Sequence, residues 1–154
     1  MNPFNSFIRG EFHHFYLIEG EAISTYEFLL LFLLEKNIEK KNIALDEVYE
    51  SIGVNEVNTI QLYQNQMNSY EGKKIIVIRA KAINDVAEHA LLKMCEEPTE
   101  DTIIFIILPS LSAVRGTLRS RAHIISIPNV VNEYDKVAVN FLKVNKNERI
   151  ELIA

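Results

Sequence analysis

The chain predicts a single α/β domain of three layers, a parallel sheet with flanking helices on both faces. Two observations point there. Apolar runs rich in β-branched residues, at 14–18, 74–78, 102–108 and 123–127, alternate with segments of helical periodicity. The run at 74–78 is also apolar enough to be buried on both faces, as strands are when crossover helices cover both sides of a parallel sheet. A chain of 154 residues fits one domain that buries roughly two-thirds of its unfolded surface.

Each element has its own signal. The run at 14–18 is expected to be the first strand. Ser24 and Glu27 have the S-x-x-E spacing of a capping box, in which a hydroxyl and a carboxylate satisfy free amides at a helix start, so a helix should cover 25–36. Residues 37–55 are polar, and only a short strand near Val48 and a turn at Gly53 are expected there. Val57, Ile60 and Met67 suggest a helix over 55–69 that ends before the turn Tyr70-Glu-Gly72. After the strand at 74–78, Asn84 or Asp85 can cap a helix through Cys95 with Val86, Ala90, Leu91 and Met94 as its apolar stripe. Pro98 stops it. The strand at 102–108, a short helix over 110–119, the strand at 123–127 and a final helix over 133–143 complete the series.

Composition narrows the function. Hydrophobic residues make up 48% and charged residues 24%, ordinary values for a globular domain, and no internal repeat or low-complexity segment is present. The most apolar segment, 28–34, is far shorter than the ~20 residues that span a bilayer. Glu27 and Glu35-Lys36 flank it, so a buried helix and no membrane partner are expected. No secretory signal opens the chain, and a single cysteine, Cys95, excludes an internal disulfide framework, which together point to a reducing cytoplasm. A net charge of −5 disfavours autonomous nucleic-acid binding, because phosphate neutralisation needs a concentrated basic surface. DNA is expected to be met only through an assembly.

Ala90-Leu-Leu-Lys-Met-Cys-Glu-Glu-Pro-Thr99, a hydrophobic run, and then Thr117-Leu-Arg-Ser-Arg121 form the most specific pattern in the chain. It resembles the nucleotide-binding domain of bacterial DNA polymerase III clamp-loader subunits, where a helix reading roughly NALLKTLEEPP precedes a strand and an SRC arginine. Tyr70-Glu-Gly-Lys-Lys74 supports the likeness, which spans about 14–127. The resemblance implies an AAA+ core of the P-loop NTPase type over 1–154. The helical lid and collar that follow this core in the family are not expected within these residues, and 145–154 falls where a lid could begin.

The family's nucleotide chemistry makes two demands. A P-loop, G-x-x-x-x-G-K-[ST], wraps phosphates in backbone amides, neutralises them with its lysine and holds magnesium with its hydroxyl. With Gly20 as the first glycine, Thr25 stands at the second, Tyr26 at the lysine and Glu27 at the hydroxyl. Glu19 and Glu21 add negative charge. An acidic pair must also end a neighbouring strand to hold magnesium and orient water. Arg79-Ala80 stands there instead. No ATP, magnesium or zinc is therefore expected in this chain, and no hydrolysis. The plain reading of Gly20 is a strand-to-helix turn, and that of Arg79 a solvated residue at a strand end.

Thr117-Leu-Arg-Ser-Arg-Ala122 is similar to the family's TIRSRC, with Ala122 in place of cysteine. In the family that arginine reaches the ATP site of the adjacent subunit, so the resemblance implies a trans-acting finger at Arg121, with Ser120 capping or orienting the turn. A guanidinium suits the task because it can engage phosphate oxygens through parallel hydrogen bonds. On the residues alone a surface arginine paired with a carboxylate such as Glu96 or Glu97 is the more common case, and only the resemblance raises the finger role to even terms with it; Arg115 and Arg119 are expected to be solvated.

Other constellations carry less. His13 and His14, as strand neighbours, should point to opposite faces and not share a metal with each other or with His89. Cys95 has no Cys-His or C-x-x-C partner in sequence and is expected to be a buried thiol. The pattern as a whole is similar to that of delta-prime subunits: an AAA+ fold, a ruined nucleotide site and a surviving finger. The function implied is that of a non-hydrolysing stator in sliding-clamp loading, with the gamma/tau ATPase and delta subunits as partners. The alternatives are a divergent but active P-loop ATPase and an inert protein-binding scaffold.

Overall fold

The structure is a computed structural model and describes residues 2–68 and 71–128. Five strands form one sheet in the order β2-β3-β4-β1-β5, every neighbouring pair parallel. In chain order they are β1 (Phe15–Glu19), β2 (Ile43–Ile52), β3 (Lys74–Ile83), β4 (Thr102–Leu108) and β5 (His123–Ser126). The helices are α1 (Ala22–Glu35), α2 (Val54–Asn65), α3 (Asp85–Glu96) and α4 (Gly116–Arg121).

Strand alternation divides the core in two. Leu17, Ile76, Ile78, Ile104 and Ile106 face α2, α3 and α4, and pack against Val57, Ile60, Leu91, Met94 and Leu118. Ile18, Ile75, Val77, Phe105 and Ile107 face the other way, onto Leu29, Phe32 and Leu33 of α1 and Phe4 of the N-terminal 3-10 turn. Central strands buried on both faces are what parallel order demands. The three-layer expectation is met.

Several boundaries differ. No capping box opens α1; the carboxylate of Glu21 caps it and Ser24 lies in its first turn. The helix ends on Asn37, whose φ of 62° supports a Schellman closure: Ile38 N–H reaches the Leu33 carbonyl at 2.9 Å and Asn37 N–H the Leu34 carbonyl at 3.0 Å. The polar region after it holds the ten-residue strand β2 rather than a short one. As an edge strand it is solvated along most of its length, and only Leu45 and Ile52 are buried.

β3 runs on through Arg79 and Ala80, paired with β2 as far as Ile83. Lys74, at its start, is buried and donates to the Tyr63 and Gln64 carbonyls at 3.0 and 3.1 Å, closing the C-terminal end of α2. Val86 is exposed, and Ala87 takes its place in the α3 stripe. α4 begins only at Gly116, where the Glu88 carboxylate meets the Arg115 amide at 3.4 Å. The helix expected over 133–143 and the tail lie outside the described residues.

Candidate functional site

The β1–α1 junction is a two-residue turn. Gly20 donates to the Leu108 carbonyl at 3.0 Å, and Ile127 donates to the Glu19 carbonyl at 2.8 Å, so β4 and β5 grip it from both sides. A Cβ on Gly20 would lie 2.3 Å from Oγ1 of Thr25. The glycine is therefore required by close approach of the helix to the strand end.

Helix α1 starts at once, so Thr25, Tyr26 and Glu27, expected at phosphate-loop positions, are wound into its first turns. Its free amides already have an anion. Glu21 accepts from Ile23 N at 3.1 Å, Ser24 N at 2.8 Å and the Ser24 hydroxyl at 2.7 Å. Anions bind helix N-termini because the amides there are unpaired and the dipole is positive, and here the side chain before the helix fills that role. Glu19, the second nearby acid, accepts from Leu111 N at 2.8 Å and from Ser126 Oγ at 3.3 Å.

A cleft of about 700 Å³ opens at this end of the sheet, lined by Gly20, Glu21, Val48, Glu50, Arg79 and Ala80 among others. Thr25, Tyr26 and Glu27 are not among its lining residues. Thr25 is fully buried, and neither its hydroxyl nor one Glu27 carboxylate oxygen has a hydrogen-bond partner among the described residues.

Tyr26 and Arg79, at the expected lysine and acidic-pair positions, are brought together. The Arg79 guanidinium lies 3.8 Å from the centre of the Tyr26 ring, a cation–π stack. Asp46 of β2 joins both, accepting from the Tyr26 hydroxyl and sitting 3.6 Å from Arg79 Nη2. Burial, followed by the Asp46 hydrogen bond, holds the Tyr26 phenol well above its ordinary pKa. Arg79 is thus not solvated: its side chain is 20% exposed, and its Nε is buried without a partner. The short strand expected near Val48 does not reach Asp46, because β2 is longer than its sequence signal.

On the opposite flank, α4 packs against α3. Arg121 Nε pairs with Glu96 at 2.9 Å, and Nη1 donates to the Thr117 carbonyl at 3.1 Å and to Ser120 Oγ at 3.4 Å. Ser120 in turn donates to Thr117 at 2.9 Å. The Arg121 side chain remains 45% exposed. Arg115 is not simply solvated, for it pairs with Asp85 at 3.0 Å and with the buried Glu88 at 3.6 Å.

The histidines depart from expectation too. His13 and His14 precede β1, their ring centres are 4.2 Å apart, and His14 Nε2 bonds the Cys95 carbonyl at 2.7 Å. Among the described residues no group of three or more His, Cys, Asp and Glu side chains could hold a metal ion. Cys95 is buried, and burial pushes its thiol up to about 12. No helix among the described residues is long and apolar enough to cross a membrane.

Residues 35–131 match the family described as DNA polymerase III, delta subunit. The chain belongs to that family. Arg79, Ser120 and Arg121 lie inside the match, while Gly20 to Glu27 lie before it. Among relatives, the DNA polymerase III subunit delta-prime of Pseudomonas aeruginosa is 35% identical over 91 residues, 58% of this chain and 25% of the relative. The delta-prime subunit of Haemophilus influenzae is 29% identical over 97 residues, 61% of this chain and 28% of the relative. The chain therefore spans about a quarter of the length of these relatives. A crystal structure of a DNA polymerase III gamma subunit-related protein from Thermotoga maritima superimposes with a TM-score of 0.62 at 25% identity, covering 79% of this chain and 43% of that one. The fold is that of the polymerase III gamma/delta-related AAA+ proteins.

Proposed function

We propose that this chain is a non-hydrolysing, delta-prime-like subunit of a polymerase III clamp loader, working in the cytoplasm, and that Arg121 serves an ATP bound by a neighbouring gamma/tau-type subunit. One observation carries the non-hydrolysing half: the Glu21 carboxylate occupies the α1 amides that a nucleotide's phosphates would need. Tyr26 and Arg79, bound to each other and to Asp46, supply neither a phosphate lysine nor a magnesium carboxylate. ATP would have to displace one carboxylate and approach two more. In the other half, α4 holds a permanently charged group at the surface, in a family described as a subunit of DNA polymerase III.

The decisive experiment combines the full chain with partner ATPase and delta subunits, clamp and primed DNA, and reads ATP turnover. The chain should raise turnover, and Arg121→Ala should associate equally well without raising it. Titration of the chain alone with Mg-ATP should give no saturable binding. Saturable, magnesium-dependent binding would favour a divergent ATPase instead, and failure to associate would leave a scaffold.

A further inference from the structure

We propose that Glu96 is a positioning residue for Arg121, an inference that rests on the finger reading above. A surface arginine samples many rotamers, and a phosphate that captures one of them must freeze the rest. Here the freezing is done beforehand. Glu96 takes Nε at 2.9 Å, while the Thr117 carbonyl and Ser120 Oγ take Nη1 at 3.1 and 3.4 Å. Nη2 donates to no acceptor among the described residues, and the side chain keeps 45% of its surface open. Nε and Nη1 are thus engaged on either side of Nη2, which is left to donate to an oxygen from outside the chain.

The anchor is rigid because of where Glu96 sits. It is the last residue of α3, whose Leu91, Met94 and Cys95 are packed in the core. The far end of α4 is fixed to the same helix, Arg115 to Asp85 at 3.0 Å and to Glu88 at 3.6 Å. α3 therefore sets the place of α4, and Glu96 alone on α3 sets the orientation of the guanidinium. Pre-organisation of this kind appears as turnover in a reaction the arginine assists, without new binding area.

The test uses the assembled complex with wild-type chain, Glu96→Ala, Glu96→Gln and Arg121→Ala, reading kcat and KM for ATP and the affinity of assembly. An exposed ion pair of roughly 0.5–1 kcal/mol converts, at 1.4 kcal/mol per tenfold, to a fall in stimulated kcat of about two- to fivefold for Glu96→Ala. KM and assembly should be unchanged. Glu96→Gln, which keeps an acceptor oxygen, should recover most of the loss. A Glu96→Ala complex that turns over as fast as wild type or faster, while Arg121→Ala is silent, overturns the positioning role and leaves the finger intact. If Arg121→Ala also retains full stimulation in an assembled complex, the finger reading fails with it.

Discussion

Arg79 and Arg121 each meet a carboxylate on a neighbouring element, Asp46 of β2 in one case and Glu96 of α3 in the other. Their surroundings differ. Arg79 is 20% exposed, stacked on Tyr26 and aligned by the sheet, so its charge is spent on joining α1, β2 and β3. Arg121 is 45% exposed, held by its own turn of helix and by one surface carboxylate. A charge enclosed by several elements stabilises the fold, whereas one tethered at the surface contributes little to it and stays available to a partner. Substitutions should separate these two roles.

The largest effect should come from the enclosed end. Gly20→Ala places a Cβ 2.3 Å from Thr25 Oγ1 and 3.3 Å from Ile127 Cβ, in a turn gripped by both neighbouring strands. A loss of about 2–3 kcal/mol in urea denaturation is expected from such overpacking. A cost below the ~0.5 kcal/mol typical of surface changes would mean that α1 can move away from β1 freely.

The direct comparison is smaller. Arg79→Ala removes a cation–π stack and a half-buried ion pair, and should lower stability by about 1–2 kcal/mol. Arg121→Ala should stay within about 0.5 kcal/mol of wild type. Equal losses in the two variants would break the distinction. Thr25→Val should move the other way, gaining about 1 kcal/mol, because its hydroxyl is fully buried without a partner and the replacement has nearly the same shape. A loss there would point to a hydrogen bond formed in solution.

The same contrast decides what sequence could reveal. β1, β3, β4 and β5 were legible because burial on two faces, or on one with a short exposed edge, leaves continuous apolar runs such as Ile75 to Ile78. Of β2 only a short piece near Val48 is legible, since a solvated edge strand carries Asp46, Glu47 and Glu50 among its apolar residues. Its full length, and with it the place of Asp46 beside Arg79, is not. The register supplies what was lacking: Asp46 pairs with Val77 and Val48 with Arg79, which sets Asp46 and Arg79 diagonally on the face that α1 covers. The start of α1 differs for a local reason, because Ser24 is the favoured cap by residue type while the Glu21 carboxylate takes the amides of Ile23 and Ser24. Arg121 and Glu96 were legible because both lie in short motifs whose spacing along α3 and α4 is preserved.

The smallest effect tests whether the enclosed cluster is closed as drawn. The Tyr26 phenol has a raised pKa, from burial first and then from Asp46, relative to its ordinary 10.0. A group whose folded pKa is raised adds stability that is whole below the unfolded value and lost as pH climbs past it, because the unfolded chain releases its proton first. Between pH 8 and pH 10 this one residue should therefore remove about 0.4 kcal/mol. Tyr26→Phe keeps the ring under Arg79 and removes the titration, so its urea midpoint should fall less than that of wild type over the same interval. Tyr16, Tyr49 and Cys95 also have raised values and titrate in both proteins, which leaves the difference between the two curves to Tyr26. Parallel curves would mean that the phenol reaches water, that Asp46 does not seal it, and that Arg79 is nearer to Arg121 in character than its 20% exposure implies.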